Sequence, residues 1–218
     1  MKKIVVGDYM EKIIKFVKKN KYLLLVFFCL IAFIAILEDV VTKDIMKGDI
    51  IGYKIISKTL ISDFMTPIAK IITNFGGAII ITIIIVILFI FIKNKKICLS
   101  IFLNVVFITV LNQLLKFIVQ RPRPITYRII DEKGYSFPSG HSMVSMAFYG
   151  YLIYLIYKHI KNKFLKYSLI IILGVLIVMI GISRIYLGVH YTSDVIAGFL
   201  VSIVYLVIYI KFSKKFIV

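Results

Sequence analysis

Three short polar stretches in the second half of the chain carry residue types that suit the cleavage of a phosphate ester. Each lies where a long apolar run meets a loop. The first contains Lys116 and Arg123, the second is residues 138–141 with the sequence Pro-Ser-Gly-His, and the third runs from Arg184 to Asp194. Together they offer fixed cations, backbone N–H groups, two imidazoles and a carboxylate. Such groups can bind, attack and protonate a phosphoryl group.

The first stretch supplies two cations. Lys116 closes an apolar run, and Arg123 follows about two helical turns later. Because Pro122 and Pro124 disfavour a regular helix, we expect an irregular helix end here. Arginine can hold a phosphate through its planar fork, and lysine can hold it as a point charge. The alternative is that both side chains contact lipid headgroups, as many cations beside membrane spans do.

The second stretch has the features of a helix start. Pro138 ends the preceding segment, and Ser139 is suited to cap a following helix. Gly140 lets the backbone approach a ligand closely, and the free N–H groups of a helix start favour an anion. His141 is then placed to donate a proton to a leaving oxygen. The alternative is an ordinary helix cap followed by a histidine at the membrane interface.

The third stretch combines a cation with an imidazole and a carboxylate. Asp194 follows His190 by about one helical turn, and Arg184 precedes both. A carboxylate at that spacing can hold one imidazole nitrogen as N–H, which leaves the lone pair of the other nitrogen free to attack phosphorus. Taken alone, Asp194 also has an ordinary explanation, because acidic residues favour the first turn of a helix. Ser193 is a candidate cap for that helix.

The elements that must position these residues are apolar helices. The chain is 61% hydrophobic, with a mean hydropathy of +1.00. A helix needs about 20 mostly apolar residues to cross a bilayer. The sequence therefore predicts an all-α, polytopic membrane protein with six transmembrane helices in a bundle, forming a single domain over residues 1–218. The six predicted spans are residues 22–37, 65–92, 97–115, 142–157, 167–182 and 195–210.

Three segments outside this simple pattern carry their own predictions. Residues 1–21 form a basic amphipathic segment, with Met10, Ile13, Ile14 and Val17 on one helical face, which is typical of a helix on the anionic inner leaflet. Apolar and charged residues are interleaved between residues 49 and 58, which indicates either a second interfacial helix or an ordinary loop. The run 65–92 is longer than a span requires, so it either tilts or begins with an interfacial helix.

The charge distribution favours one orientation in the membrane. The net charge is +18, and the 28 Lys and Arg residues lie in short clusters between apolar runs. This pattern is typical of topology determinants and headgroup contacts, so nucleic acid is not an expected partner. Placing both termini in the cytoplasm puts most Lys and Arg residues inside, and the three polar stretches then face the extracytoplasmic side. Cys29 and Cys98 lie within apolar runs and are interpreted as buried apolar residues.

The three stretches resemble the three-part signature of the type 2 phosphatidic acid phosphatase superfamily, and the match spans residues 116–194. Every specified position is present: Lys116, Arg123 and Pro124, then Pro138, Ser139, Gly140 and His141, then Ser183, Arg184, His190 and Asp194. The run 181–190 is similar to bacterial members of the phosphatidylglycerophosphatase B and undecaprenyl-diphosphate phosphatase type. Arg121 is an additional cation that the signature does not specify.

The resemblance implies a metal-independent lipid phosphatase, without a cofactor, that works through a phosphohistidine. It implies that His190 is the nucleophile, that Asp194 orients it, and that His141 is the general acid. The same resemblance assigns phosphate binding to Lys116, Arg123, Ser139, Gly140 and Arg184. No metal-binding residues are expected, because the outer carboxylates are scattered along the sequence.

The expected partners are a lipid phosphate substrate and the lipids of the cell membrane, and no obligate protein partner is implied. Candidate substrates are phosphatidylglycerophosphate, phosphatidic acid, diacylglycerol pyrophosphate and undecaprenyl diphosphate, among which the motifs do not choose. One alternative is a lipid phosphotransferase, in which an acceptor alcohol replaces water. A second alternative is a non-catalytic binder of lipid phosphates, which leaves the spacing of His190 and Asp194 unexplained.

Overall fold

All regular secondary structure among the residues that the structure describes is α-helical. The computed structural model describes the backbone of residues 2–43 and 45–217, and the side chains of residues 15–43 and 45–215. The helices are α1 (Lys2–Lys43), α2 (Lys47–Leu60), α3 (Met65–Asn74), α4 (Ala78–Phe91), α5 (Lys95–Val119), α6 (Gly140–His159), α7 (Lys163–Tyr186) and α8 (Thr192–Ile217). These described ranges contain no β-strand, in agreement with the predicted all-α class.

Helices occupy all six places where the sequence predicts a span. Four of them, α1, α5, α7 and α8, are long and apolar enough to cross a membrane, and α3 with α4 passes the same test as a bent pair. By contrast, α6 does not reach that apolarity. It lies against α5, α7 and α8, and it buries polar side chains such as Ser142 and Ser145 inside the bundle. The total of six spans therefore stays a prediction.

The run 65–92 is divided into two helices that meet at a bend of 52°. Gly76 and Gly77 lie at the junction, where glycine permits a sharp change of direction. The bend also requires a small residue, because a Cβ on Gly76 would lie only 2.7 Å from the side chain of Ile180 and 3.3 Å from that of His141. The junction of α3 and α4 is thereby packed directly against the start of α6.

Residues 49–58 lie within a regular helix and are not an ordinary loop. The helix is α2, and it exposes Ile50, Ile51 and Ile55 while it buries Asp49. Its location in the membrane interface stays a prediction. In the predicted amphipathic segment 1–21, the backbone continues into α1, and the side chains of Met10, Ile13 and Ile14 lie outside the described residues.

Buried apolar clusters hold the helices together. The largest is formed by side chains of the five helices from α4 through α8 and includes Ile81, Ile101, Phe148 and Ile180. A second cluster packs α1 against α5, α6 and α8. The outer surface of the bundle is also apolar, since residues such as Phe91 are exposed. Exposed apolar surface of this extent, on helices whose backbone groups are bonded internally, is typical of contact with lipid.

Candidate active site

The three polar stretches meet at one end of the bundle, because successive helices run in opposite directions. Lys116 lies in the last turn of α5, His141 in the first turn of α6, Arg184 in the last turn of α7, and Asp194 in the first turn of α8. A cleft of about 410 Å³ opens at this end. Five of the eight predicted site residues line it: Lys116, Arg123, Gly140, His141 and His190.

Asp194 lies behind His190 and supports its imidazole. The Nδ1 atom of His190 is 3.3 Å from Oδ2 of Asp194, and both residues are buried. An ionised carboxylate can only accept a hydrogen bond, so Nδ1 carries the proton. The other ring nitrogen, Nε2, is 3.1 Å from Nη1 of Arg123, and a guanidinium can only donate. The two contacts together define the tautomer in which Nε2 of His190 holds a free lone pair.

The environment of His190 keeps this imidazole neutral. Burial, followed by the positive charges of Arg184 and Arg123, holds the pKa of His190 well below its usual value. Desolvation and like charge both disfavour the protonated imidazole. At neutral pH the lone pair on Nε2 is therefore available, which a nucleophile requires.

Arg123 is held in a fixed position by backbone carbonyl groups of two loops. Its guanidinium donates to the carbonyl oxygens of Lys133, Gly134 and Val189 at 2.9–3.1 Å, besides its contact with His190. Burial lowers the pKa of Arg123 to about 10, so the side chain stays charged at neutral pH. A cation fixed in this way beside the imidazole is suited to hold an anion in front of Nε2.

Glycine at position 188 allows these two loops to approach each other. Gly188 lies between α7 and α8 and has a φ of +69°, and a Cβ there would lie 2.0 Å from the carbonyl oxygen of Tyr127. Only glycine tolerates both conditions without strain. The approach is completed by a hydrogen bond of 3.0 Å from the Ile129 N–H to the Leu187 carbonyl oxygen. The α7–α8 loop therefore delivers His190 to the loop that carries Arg123.

Arg184 is buried beside the cleft, and a carboxylate covers it. Its Nη1 donates to Oγ1 of Thr73 at 2.8 Å, and its guanidinium forms an ion pair with Glu132. Glu132, which lies in the loop between α5 and α6, lines the cleft, whereas Arg184 does not. An anion that binds Arg184 would therefore compete with the Glu132 carboxylate.

The start of α6 has the cap that the sequence predicts. The Ser139 hydroxyl accepts hydrogen bonds from the N–H and the hydroxyl of Ser142 at 3.5 and 3.0 Å. Ser139 is fully buried and does not line the cleft, so the structure places its hydroxyl in the cap rather than at the cleft surface. Gly140 does line the cleft, and a Cβ at this position would lie 3.0 Å from Oδ1 of Asn112.

Asn112 and Lys116 join α5 to the loops around the cleft. The Asn112 amide donates to the Pro138 carbonyl oxygen at 3.1 Å, and the Lys116 ammonium donates to the Tyr135 carbonyl oxygen at 2.6 Å. Sequence reasoning missed Asn112, although one signal was present. It is a polar residue inside an apolar run, one turn before Lys116 on the same helical face.

Three further residues at the site were also missed: Asp49, Thr73 and Glu132. Asp49 contacts Arg121, and Thr73 and Glu132 contact Arg184. In each pair the two residues are far apart in the sequence. No local spacing marks these partners, because each comes from a different helix or loop. Their roles are visible only in the packed bundle.

Comparison with known proteins agrees with the fold. The profile of the PAP2 superfamily matches residues 95–217, which run from the start of α5 to the end of α8 and contain all three polar stretches. This match covers more than half of the chain. The chain therefore belongs to the PAP2 superfamily.

Two relatives and one solved structure illustrate the similarity. The chain is 39% identical over 109 residues to phosphatidylglycerophosphatase B of Bacillus subtilis, covering 48% of this chain and 52% of the relative. It is 31% identical over 120 residues to undecaprenyl-diphosphatase of Sulfolobus acidocaldarius, covering 52% and 53%. The chain thus spans about half the length of these curated relatives. A transmembrane PAP2-type phosphatidylglycerolphosphate phosphatase from Bacillus subtilis superposes with a TM-score of 0.77 at 30% identity, covering 90% of this chain and 97% of that one.

Proposed function

We propose that this protein is a metal-independent membrane phosphatase that hydrolyses the phosphate or diphosphate group of a lipid through a phosphohistidine intermediate. The observation that carries the proposal is the contact between Arg123 and the unprotonated Nε2 of His190, at a cleft that His141 also lines. An anion held by Arg123 would lie in front of the nucleophilic nitrogen. The names of the two curated relatives support a lipid phosphate as the substrate.

In the first half of the proposed reaction, the lone pair on Nε2 of His190 attacks phosphorus. The bond between phosphorus and the leaving oxygen breaks, and protonated His141 gives its proton to that oxygen. Burial and the charges of Lys116 and Arg123 lower the pKa of His141 to about 4 when no anion is bound, so His141 takes up this proton together with the negatively charged phosphate, which offsets the two cations. Asp194 stabilises the positive charge that develops on the imidazole, because its carboxylate already accepts the Nδ1 hydrogen. The equatorial oxygens are stabilised by Lys116, Arg123 and the N–H of Gly140, which line the cleft, and by Arg184 once the Glu132 carboxylate has moved away from it.

In the second half, water attacks the phosphohistidine and releases inorganic phosphate. His141 has given up its proton in the first half, so it now accepts one from the attacking water. No step is assigned to a metal ion, because the three basic side chains supply the charge stabilisation. Among the described side chains, no three His, Cys, Asp or Glu residues are grouped where they could hold a metal.

The proposal is tested with a panel of lipid phosphates and diphosphates, assayed in detergent with EDTA present. The expected result is release of inorganic phosphate from at least one lipid, with no loss of rate in EDTA. Adding a candidate acceptor alcohol distinguishes hydrolysis from transfer, since transfer yields a phosphorylated alcohol instead of inorganic phosphate. Tight binding of the lipids without turnover would support a non-catalytic binder and overturn the proposal.

The proposal includes six spans, both termini in the cytoplasm and the cleft on the extracytoplasmic face, supported by the distribution of Lys and Arg. We expect an impermeant maleimide to label the Arg128→Cys variant in intact cells, because Arg128 is exposed in the cleft-side loop between α5 and α6. The Lys161→Cys variant should be labelled only after permeabilisation, since Lys161 is exposed in the loop at the other end of α6. The reverse labelling pattern would contradict the orientation.

The ion pair between Glu132 and Arg184 predicts competition with phosphate. Replacing Glu132 with glutamine removes the negative charge that occupies Arg184. We expect inorganic phosphate to bind roughly tenfold more tightly, which corresponds to about 1.4 kcal/mol. Isothermal titration calorimetry in detergent measures this change.

Asp131→Asn is the matched control for this prediction, because Asp131 is the neighbouring carboxylate and is exposed. A single exposed charge contributes little, so phosphate affinity should stay within about twofold of the original value. Equal changes in both variants would indicate a general charge effect and would argue against direct competition at Arg184.

A further inference from the structure

The guanidinium of Arg121 bridges two buried carboxylates behind the cleft. Its Nη1 donates to Oδ1 of Asp194, and its Nη2 donates to Oδ2 of Asp49, both at 2.7 Å. The three side chains are 2% exposed or less. Nη1 also donates to the Ser193 hydroxyl at 2.7 Å, and the guanidinium lies over the ring of Tyr191 at 4.0 Å. Arg121 therefore contacts the residues next to His190 and does not line the cleft.

Asp49 connects this group of side chains to α2. It lies in the first turn of α2, and its Oδ1 accepts a hydrogen bond of 2.8 Å from the Ser193 N–H in the first turn of α8. That N–H is one of the groups that a helix start leaves without an intrahelical partner. The carboxylate thus satisfies the start of α8 with one oxygen and holds Arg121 with the other.

Both oxygens of Asp194 are consequently occupied. Arg121 binds Oδ1, while Oδ2 accepts the Tyr191 N–H at 2.9 Å and faces Nδ1 of His190. A carboxylate held at both oxygens cannot rotate away from the imidazole. Its negative charge is also paired, and an unpaired buried carboxylate would be costly. These contacts maintain the acceptor that keeps the proton of His190 on Nδ1.

We propose that Arg121, held by Asp49, is a positioning residue that acts through Asp194 to fix the tautomer and orientation of His190. This inference rests on the proposed function, in which Nε2 of His190 is the nucleophile. It also gives the first outer loop a role, because α2 supplies the carboxylate that holds Arg121. Removing the partners that orient metal-binding histidines typically costs about 10–100-fold in affinity or activity, and we expect an effect of similar size here.

The test uses Arg121→Gln and Asp49→Asn, with Arg128→Gln as the matched control. Arg128 belongs to the same loop but is exposed. Two properties are measured on detergent-purified protein labelled with ¹⁵N-histidine. One is the ¹⁵N spectrum of the imidazoles at pH 7.5, in which His190 is identified by comparison with the His190→Gln variant. The other is kcat and KM for a lipid phosphate.

The expected result is a change in kcat with little change in KM. Arg121→Gln should lower kcat about 10–100-fold and leave KM within about twofold, because the substrate does not touch Arg121. The His190 signal should change from the Nδ1–H tautomer to a mixture of the two tautomers. Asp49→Asn should show the same changes to a smaller extent, and Arg128→Gln should show neither.

The proposal is overturned if folded Arg121→Gln protein keeps both the Nδ1–H tautomer and the original kcat, since Arg121 would then only join α2 to the bundle. If Arg121→Gln does not fold, the same two measurements on Asp49→Asn decide. The tautomer readout does not depend on turnover. A failure of the proposed function, seen as turnover that persists without His190, is therefore distinguishable from a failure of this inference.

Discussion

Replacement of His190 with alanine is expected to lower turnover of a lipid phosphate by at least about 10⁴-fold, or about 5.5 kcal/mol of transition-state stabilisation. The imidazole is buried, neutral and oriented by Asp194, with Nε2 directed at Arg123. The variant lacks the atom that would form the covalent intermediate, and no other described imidazole is held by a carboxylate in this way. Release of inorganic phosphate in the presence of EDTA measures the loss.

His159→Ala is the matched control for this prediction. His159 is exposed at the end of α6 far from the cleft, and its replacement should leave turnover unchanged. A trapping experiment adds a direct readout, because a ³²P-labelled lipid phosphate should label the original protein with an acid-labile phosphate. Near-normal phosphate release by the His190→Ala protein would rule out the assigned nucleophile.

The second large effect is expected at His141. Its replacement with alanine should lower turnover of lipid substrates about 10²–10⁴-fold, the usual contribution of a general acid. A lipid alkoxide is a poor leaving group and depends on that proton. A substrate with a good leaving group, such as p-nitrophenyl phosphate, does not need that proton. For this substrate, formation of the phosphohistidine should be nearly as fast in His141→Ala as in the original protein. Rapid-quench measurement of nitrophenol release separates this first step from later ones.

The same variant should accumulate the covalent intermediate. In the proposed reaction His141 also accepts a proton from the attacking water, so His141→Ala should slow release of phosphate from the phosphohistidine. We therefore expect a burst of nitrophenol followed by a slow steady state, together with a larger fraction of trapped ³²P. Equal losses for the lipid and the aryl substrate, with no burst, would show that His141 is not the acid.

The cleft depends on the way the bundle places helix ends. The ends of α5 and α7 contribute side chains near their last turns, and the starts of α6 and α8 contribute residues of their first turns. The positive ends of the two helix dipoles at the starts of α6 and α8 favour anions. The loop glycine Gly188 and the bend at Gly76 bring the remaining segments close enough to enclose the site. A highly charged pocket is thus built at the end of an apolar bundle.

Much of this site follows from local sequence patterns. The short separation of His190 and Asp194 predicts their contact, which is observed although His190 precedes the first residue of α8 and only Asp194 lies in its first turn. The cap at Ser139 is likewise confirmed, since its hydroxyl and the N–H it accepts belong to the same turn. The geometry of an N-cap is similar in most helix starts, so a short segment of sequence is sufficient to predict the cap.

Other features depend on partners that are distant in the chain. Arg121 and Asp49 are 72 residues apart, and Arg184 and Thr73 are 111 residues apart. The sequence marks Arg121 only as an additional cation, and it offers Ser139 both as a helix cap and as a phosphate contact. The cap is confirmed, and the phosphate contact stays a prediction. The run 65–92 is predicted either to tilt or to begin with an interfacial helix, and the structure divides it into two helices that meet at a bend of 52°. Pairing over such distances is decided by the packing of whole helices.

The sequence by itself determined the apolar helices, their approximate positions, and the residue types of an anion-binding site with a histidine beside a carboxylate. Periodicity and composition carry this information because hydrophobic burial and helix geometry act over a few neighbouring residues. Only the tertiary structure decided that two carboxylates share Arg121, that Glu132 covers Arg184, and that the two histidines line one cleft. These contacts join helices and loops far apart in the chain, so they exist only once the bundle has packed.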